Sequence, residues 1–287
     1  MKVGHTMNYL IWVVIYLVFS LCFSQGFKKV NRCMQNASAL TVLLETFTAL
    51  FALILSIFFE FKMPSINVFF TLFIVTIIYA ATDRLNIEAR YGLEPSNFSM
   101  LKQLSTVFLI IFSFIFLKEK IIFSKILGTI IIITSNIMLA VNKEGKIVFN
   151  KYFIFCIISN FLFAIAMLIN VNISSYFNIG IYTFITVFIP SLIIRLFGKL
   201  KIKDLKQEFA LYNKPKFMLV SLSWCMMLIS SVKAYEYGDV SVVAPLLTLT
   251  ALTNTIYEYF IDKNKQHFIY KLVISIFILI GVILIKI

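Results

Sequence analysis

The sequence predicts an all-α integral membrane protein, in which ten transmembrane helices form two inverted five-helix repeats. Hydrophobic residues make up 61% of the chain and the mean hydropathy is +0.95, whereas soluble domains are about 45–50% apolar. The apolar residues fall into ten stretches, and a Tyr-Gly passage of the first half recurs in the second. Composition therefore predicts the membrane, and the recurrence predicts the repeat.

Each apolar stretch has the length of a membrane-crossing helix, which needs about 20 residues. Phe, Ile and Leu fill the stretches without alternation of apolar and polar residues, so a β-barrel is not expected. The longest connection, 198–215, is too short to fold as a soluble domain. The predicted spans are 7–25, 38–59, 66–88, 97–117, 121–141, 151–172, 178–197, 216–233, 241–261 and 267–286.

A Tyr-Gly pair stands at the same place in both halves of the chain. Tyr91-Gly92 and Tyr237-Gly238 each precede an apolar span, and Lys125 and Lys271 each open the span that follows it. Both separations are 146 residues. Because each unit holds an odd number of spans, the second unit must insert upside down relative to the first. Inverted units of this kind meet near the bilayer midplane.

The polar segment 143–146 separates the first five spans from the last five. We therefore expect one membrane domain made of two repeats, residues 1–142 and residues 143–287. Each repeat is predicted to contribute one wall of any site that lies between them.

The basic residues fit a bilayer protein better than a nucleic-acid-binding protein. The formal net charge is +13, but Lys and Arg sit in short loops at span ends, as positive-inside anchoring predicts. We expect the lipid bilayer as surroundings and no nucleic-acid partner. Of the 26 basic residues, 18 fall on one side, which the rule assigns to the cytoplasm, with both termini outside. The lysine run 199–206 is expected to be a solvated loop near anionic lipid.

The sequence shows no signature of a cofactor, a metal or a catalytic centre. Its four cysteines are scattered without a CxxC pair, and His5 and His267 are its two histidines. It has no GxxxxGK[ST] loop for nucleotide hydrolysis. We expect no cofactor, no metal and no enzymatic activity.

Two stretches resemble a known family. They are EARYGLEPSNFSMLKQLSTVFLIIFSFIFLKEKI at 88–121 and KAYEYGDVSVVAPLLTLTALTNTIYEYFIDK at 233–263. The first is similar to ten-helix EamA-type members of the drug/metabolite transporter superfamily, and the second departs from them at its end, in 261–263. The resemblance implies ten helices, a central cavity, alternating access and cytoplasmic termini. It disagrees with the charge count on orientation, and we follow the resemblance because the first repeat carries no charge bias.

Polar side chains inside spans are costly and usually face the protein interior. Lys102 and Gln103 lie roughly 7.5 Å into the fourth span at 1.5 Å per residue. There Lys102 could attract an anionic group or extend back to the interface. On the ninth span, Thr250, Thr253 and Asn254 share one face, and they could bind a substrate or bond their own helix. All five are predicted substrate-binding residues.

Three more residues inside spans are candidates. Trp12 could form an aromatic wall of the site or pack in the core, and Asn160 could bind a substrate or a neighbouring helix. Glu45 has apolar neighbours in sequence, so its carboxyl group should be protonated or paired. Glu45 is therefore predicted to be a proton-coupling site, with a structural partner for a lysine as the alternative.

Charged residues at two related span ends could form a gate at the cavity mouth. Arg84 and Glu88 are four residues apart, hence on one helical face. Lys233, Tyr235 and Glu236 occupy the related place in the second repeat. The alternative is a set of interfacial ion pairs.

These features together favour a secondary transporter of a small polar metabolite. The basic Lys102 favours an anionic or zwitterionic solute, such as an amino acid, and a proton or a counter-substrate would supply the energy. The alternative is a nucleotide-sugar or sugar-phosphate antiporter of the same fold, and an intramembrane enzyme or a non-transporting membrane partner is less favoured. The Ile-, Lys-, Asn- and Phe-rich composition fits the plasma membrane of a prokaryote.

Overall fold

The computed structural model describes residues 3–62, 64–105, 107–108, 111–112, 123–140, 150–170, 173–237, 243, 246–247, 249–261 and 268–284. Over these residues, regular structure is entirely helical. Five of the described helices are long and apolar enough to cross a membrane, and three shorter apolar helices accompany them. This confirms an all-α, multi-pass membrane protein. The predicted boundary between repeats, at 142–143, lies outside the described residues.

Within the described residues of the first half, five helices have defined bounds, and local sequence explains where they begin. The second helix follows Asn36, whose side-chain oxygen accepts a hydrogen bond from the amide of Ala39 at 3.1 Å. The fourth has a proline in its first turn, where a missing N–H costs nothing. The helices are α1 (Val3–Asn31), α2 (Ala37–Leu55), α3 (Ile66–Gly92), α4 (Pro95–Leu101) and α5 (Phe123–Ala140).

In the second half, the described residues include six helices with defined bounds. Asn178 caps one of them by accepting a hydrogen bond from the amide of Ile181 at 3.0 Å. The helices are α6 (Lys151–Asn170), α7 (Ile179–Phe197), α8 (Ile202–Ala210), α9 (Lys214–Tyr237), α10 (Thr250–Phe260) and α11 (Phe268–Leu284). Apart from α8, each lies within a predicted span or extends it by a few residues.

Helix α8 lies in the connection that was expected to be a solvated loop. Its lysines Lys203 and Lys206 are exposed as expected, but Glu208 on the opposite face is 3% exposed. The Glu208 carboxylate accepts hydrogen bonds from the backbone amides of Gln35 at 3.2 Å and Asn36 at 2.9 Å. The lysines are exposed as predicted, but the prediction of an irregular loop was wrong, because these residues form a helix that packs on the beginning of α2.

A tyrosine completes the contact between α8 and α2. The Tyr212 hydroxyl donates a hydrogen bond to Glu208, and its ring stacks on Phe217 with centroids 5.3 Å apart. Burial, and then the hydrogen bond to Glu208, raise the pKa of Tyr212 well above its ordinary value. The hydroxyl therefore stays protonated and keeps donating to the carboxylate.

Helices of the first half pack mainly against helices of the second half. Helix α1 packs on α9, α3 on α6, α2 on α7, α4 on α10 and α5 on α11. Exchanging each helix for its predicted repeat equivalent returns the same pairs: α1–α9 becomes α6–α3, and α3–α7 becomes α9–α2. A pseudo-two-fold axis between inverted repeats would give this pattern, and the ten-helix repeat itself stays a prediction.

Two helices at the centre of this arrangement are irregular. Helix α4 stops at Leu101, and Lys102 and Gln103 form a turn before helical structure resumes at Leu104. Helix α10 begins at Thr250, directly after a turn at Leu249. Gln103 and Leu249 are 146 residues apart, the same separation as the two Tyr-Gly pairs. Discontinuous helices at related positions are where inverted-repeat transporters build their sites.

Candidate functional site

Four charged side chains converge where α2, α3 and α4 meet. Asp83 and Arg90 are seven residues apart on α3, hence on one face of the helix. Lys102 interacts electrostatically with both, and Asp83 also faces Glu45 of α2. Glu45 is fully buried, and the other three are half-buried. We call these four residues the interior charge cluster; it holds two cations and two carboxyl groups.

The break in α4 positions Lys102. In a continuous helix the Leu101 carbonyl would accept a hydrogen bond from the amide of Ser105, but that amide donates to the Lys102 carbonyl instead, at 3.1 Å. The Leu101 carbonyl accepts from Nδ2 of Asn160 on α6, at 2.8 Å. Asn160 thus stabilises the break as a helix-packing contact, next to the cluster.

The Lys102 ammonium group is buried, and none of the residues that the structure describes accepts a hydrogen bond from it. Its Nζ lies 4.2 Å from the centre of the Phe163 ring, a cation–π contact. The neighbouring Gln103 is buried, and its Nε2 donates to the Ser99 carbonyl of its own helix at 3.1 Å. Of the two residues at the turn, Lys102 is therefore the one with unused donors.

Aromatic rings enclose the second cation of the cluster. The Arg90 guanidinium lies 3.9 Å from the centre of the Phe98 ring and 4.9 Å from that of Phe23. It also interacts with Asp83 and with Tyr16 of α1. A narrow pocket beside Arg90 is lined by Ser24, Phe27, Lys28, Leu93, Pro95 and Phe98.

A second polar network lies on α10 and uses neutral groups. Asn254 is fully buried, and its Oδ1 accepts from Nε2 of Gln25 on α1 at 2.9 Å. Its Nδ2 donates to the Ser99 hydroxyl on α4 at 3.0 Å and to the Thr250 carbonyl at 2.9 Å. The Thr253 hydroxyl donates to the same Thr250 carbonyl at 3.1 Å. Asn254 thus links α1, α4 and α10, and Thr253 bonds its own helix.

The predicted gate residues form two separate local pairs. Arg84 bonds Glu88 at 2.9 Å, and its Nε donates to the Ser38 hydroxyl at 2.8 Å. Lys233 bonds Glu236 at 2.8 Å on α9. These contacts match the interfacial ion pairs of the alternative interpretation.

Two aromatic residues that were predicted to be site residues, Trp12 and Tyr235, lie where α1 packs against α9. Tyr235 interacts with Tyr16, the residue that also faces Arg90, so it borders the interior charge cluster. Trp12 packs with Val13, Leu247 and other apolar side chains. The contacts of Trp12 are those of a core residue.

An ion-pair network of three residues joins the two halves of the chain. It lies at the beginning of α4, the end of α10 and the beginning of α11. Lys271 on α11 pairs with Glu258 of α10 at 3.3 Å and with Glu94, the residue before α4. Lys271 and Glu258 are buried, and the Glu94 side chain is partly exposed. We call this set the α4–α10–α11 ion-pair network.

Sequence reasoning missed Asp83 and Arg90 as site residues and chose Arg84 and Glu88 from the same segment. The signal was present, because positions 83, 86 and 90 follow the i, i+3, i+7 spacing of one helical face. The structure turns that face, with Asp83 and Arg90, towards Lys102. Which face points inward depends on the neighbouring helices, and that could not be seen in the segment alone.

Among the described residues, no three His, Cys, Asp or Glu side chains lie close enough to hold a metal ion. The interior charge cluster can bind ions or dipoles. Its two cations can hold an anionic group, and its carboxyl groups can hold a cation or a proton.

Comparison with known proteins gives a family and a fold. Residues 9–141 match the EamA-like transporter family. One solved crystal structure, described only as that of a protein, aligns with a TM-score of 0.60 at 10% sequence identity, over 97% of this chain and 96% of that chain. At that identity the likeness concerns the fold alone. No curated protein matches the sequence.

Proposed function

We propose that this protein, whose residues 9–141 match the EamA-like transporter family of the drug/metabolite transporter superfamily, is a membrane transporter that moves a small zwitterionic metabolite by alternating access. An α-amino acid has the chemistry that we favour. The observation that carries the proposal is the mixed sign of the interior charge cluster, with an unbonded ammonium group beside a carboxyl group.

The unbonded ammonium of Lys102 is expensive to keep. Buried charges are normally paired and hydrogen-bonded, and each unpaired ion costs several kcal/mol. Lys102 has Asp83 nearby, but its Nζ donates no hydrogen bond to any described residue. Such a cost is typical of a group that is retained for a ligand. A carboxylate of the substrate would fill the vacant donor positions on Lys102.

The two carboxyl groups of the cluster support a zwitterionic substrate. Asp83 lies between Lys102 and Glu45 and interacts with both. A substrate ammonium could bind Asp83 while its carboxylate binds Lys102, so that both charges of an amino acid are matched. The rings of Phe163 and Phe98, which contact Lys102 and Arg90, would supply the apolar surface that small-molecule sites usually have.

The packing of the two halves supports alternating access. The cluster lies beside the broken helix α4, which packs against α10 of the other half. In carriers with inverted repeats, the halves rock around a fixed site near the midplane. The repeats 1–142 and 143–287 would be the moving units. The energy would come from a proton or a counter-substrate.

A nucleotide-sugar or sugar-phosphate antiporter is the second candidate. Two cations, Lys102 and Arg90, lie in one cluster, and arginine suits phosphate groups well. The two carboxyl groups of the same cluster weigh against it, because they would repel a phosphate. An enzyme or a non-transporting partner is less favoured, since the family consists of transporters. A prokaryotic plasma membrane remains our predicted location.

Transport in proteoliposomes tests the proposal. Vesicles containing the purified full-length chain are loaded with unlabelled solute, and entry of labelled solute is followed. We expect counterflow of a mixture of radiolabelled L-amino acids and none of glucose 6-phosphate or UDP-glucose.

Matched variants locate the site. Lys102→Ala and Asp83→Asn should each abolish counterflow, whereas Lys29→Ala, which changes an exposed lysine at the end of α1, should retain it. Counterflow of the phosphorylated sugars would favour the second candidate. Unchanged counterflow in Lys102→Ala would remove Lys102 from the site.

A further inference from the structure

Glu45 has an environment that a bare carboxylate does not tolerate. Its side chain is fully buried on α2, and in the described part of the chain no donor forms a hydrogen bond with either carboxylate oxygen. Burying an ionised carboxylate without partners costs far more than a folded protein can offset. Either a cation or a proton must therefore accompany it.

The group that faces Glu45 is another carboxyl group. Asp83 approaches it from α3, and Asp83 in turn faces Lys102 of α4, with Arg90 and Asn86 of its own helix also nearby. The order in space is thus Glu45, Asp83, Lys102. The two cations of the cluster, Lys102 and Arg90, interact with Asp83. Among the described residues, Glu45 interacts with Asp83 and not with either cation.

Apart from Asp83, the groups that the packed helices bring to the middle of α2 are neutral. Helix α7 lies along α2, with Ile179 packed near Ala52 and Ile194 near Val42, and its Arg195 lies beyond Ile194. On α9, the Ser221 carbonyl accepts from the Thr48 hydroxyl at 3.2 Å, and Cys225 packs with Ala52 in an apolar cluster. The acidic Glu208 of α8 lies at the beginning of α2, where it binds backbone amides. Elsewhere in the cluster, Tyr16 of α1 faces Arg90, and Cys156 of α6 faces Lys102 and Arg90. Asp83 is therefore the titratable neighbour that decides the state of Glu45.

We propose that Glu45 and Asp83 form a carboxyl pair that binds one proton between α2 and α3. Binding takes one proton from water and forms one O–H bond on either residue, and that O–H donates a hydrogen bond to the other carboxylate. Two adjacent carboxyl groups cannot both ionise in apolar surroundings, and the shared proton removes this conflict. One negative charge remains and faces Lys102.

The pair couples the proton to the solute, a step that rests on the proposed function. Asp83 belongs both to the carboxyl pair and to the surroundings of Lys102. A substrate carboxylate on Lys102, or a substrate ammonium on Asp83, changes the charge that the pair experiences. Substrate binding must then change proton affinity, and the proton must change substrate affinity by the same factor. We expect one proton to be coupled to each transport cycle.

Infrared difference spectroscopy tests the pair without any substrate. Spectra of the full-length protein in lipid vesicles are compared between acid and alkaline buffer, in H2O and in D2O. A protonated buried carboxyl group has a carbonyl-stretch band that shifts in D2O. We expect such a titrating band in the wild type, and we expect Glu45→Gln to lose it.

A second variant and a control make the assignment specific. Asp83→Asn removes the other member of the pair and should shift the band by changing its hydrogen bond, which also covers the case in which Glu45→Gln does not fold. Glu60→Gln changes an exposed carboxyl group beyond α2 and should leave the band unchanged. A wild type without the band, or a band that survives in both pair variants, overturns the proposal.

Transport separates this proposal from the proposed function. With the mixture of radiolabelled L-amino acids, Glu45→Gln should lose accumulation driven by an imposed pH gradient, and its exchange counterflow should no longer vary with pH. Accumulation equal to that of the wild type would overturn the coupling. If the wild type moves none of the tested solutes, the proposed function fails, and the infrared result still decides whether the proton site exists.

Discussion

Helices α4 and α10 occupy related places in the two halves, but their polar residues are used differently. At the break in α4, the Lys102 ammonium group has no hydrogen-bond partner among the described residues. One turn into α10, Asn254 uses both its Oδ1 and its Nδ2 in hydrogen bonds to α1, α4 and its own helix. Satisfied buried groups hold helices together, whereas unsatisfied ones are kept at a cost. Under the proposed function, this difference would assign ligand binding to the first half and assembly to the second.

The largest expected loss of stability follows removal of Lys271 from the α4–α10–α11 ion-pair network. Lys271→Met leaves Glu258 buried without the cation that now pairs with it at 3.3 Å. Breaking a buried ion pair on one side costs about 3–5 kcal/mol. Thermal unfolding of the purified protein in detergent measures the effect. Lys233→Met, which breaks a pair within one helix, is the control and should lower the stability much less.

Lys102→Met should separate function from stability. Methionine fills a similar volume without a buried charge, the Lys102 ammonium group has no described hydrogen bond to lose, and Asp83 keeps Arg90 as a nearby cation. We expect an unfolding midpoint equal to or above that of the wild type, together with at least about tenfold slower counterflow, a loss of about 1.4 kcal/mol or more in transition-state stabilisation. A clear drop in the unfolding midpoint would mean that Lys102 is a structural residue, as Asn254 of α10 is.

Asn254→Ala should give the opposite result. It removes the hydrogen bonds to Gln25 and Ser99, and leaving such buried groups unsatisfied costs about 1–3 kcal/mol. We expect a lower unfolding midpoint and counterflow per folded molecule within about twofold of the wild type. Thr253→Ala is the matched control, because its hydroxyl bonds only its own helix among the contacts described. Loss of counterflow without loss of stability would place the substrate on α10 as well.

The smallest effect is expected at Arg84. Arg84→Ala removes a half-exposed ion pair with Glu88, a class of contact worth about 0.3–0.5 kcal/mol. Neither stability nor counterflow should change measurably. A strong loss of counterflow at unchanged stability would restore Arg84 and Glu88 as gate residues and would extend the functional region beyond the interior charge cluster.

Hydropathy located the helices well, because the bilayer demands about 20 apolar residues for each span. Helices α2, α3 and α7 begin within one residue of their predicted starts. The Arg84–Glu88 pair was predictable for an equally local reason, since residues four apart on a helix are neighbours. Features that depend on one helix at a time could therefore be read from the sequence.

Features that depend on contacts between two helices could not be predicted from the sequence. The break after Leu101 has no glycine or proline to announce it, and Asn160 of α6 supplies the hydrogen bond that stabilises it. Similarly, Asp83 looks like one more charge at a span end until Lys102 and Glu45 are brought beside it. Helix α8 was missed because its polar face resembles an ordinary loop and its buried face is short.

The Glu208 contact has a mechanical consequence for the helix that carries Glu45. The backbone amides just before α2 bind a carboxylate from α8, which belongs to the second half of the chain. The first turn of α2 is thereby anchored to the opposite half, while Glu45, further along the same helix, faces Asp83 of its own half. Any tilting of one half against the other must bend α2 or turn it about this anchor. If the halves move as proposed, Glu45 would therefore shift relative to the anchored first turn of its own helix.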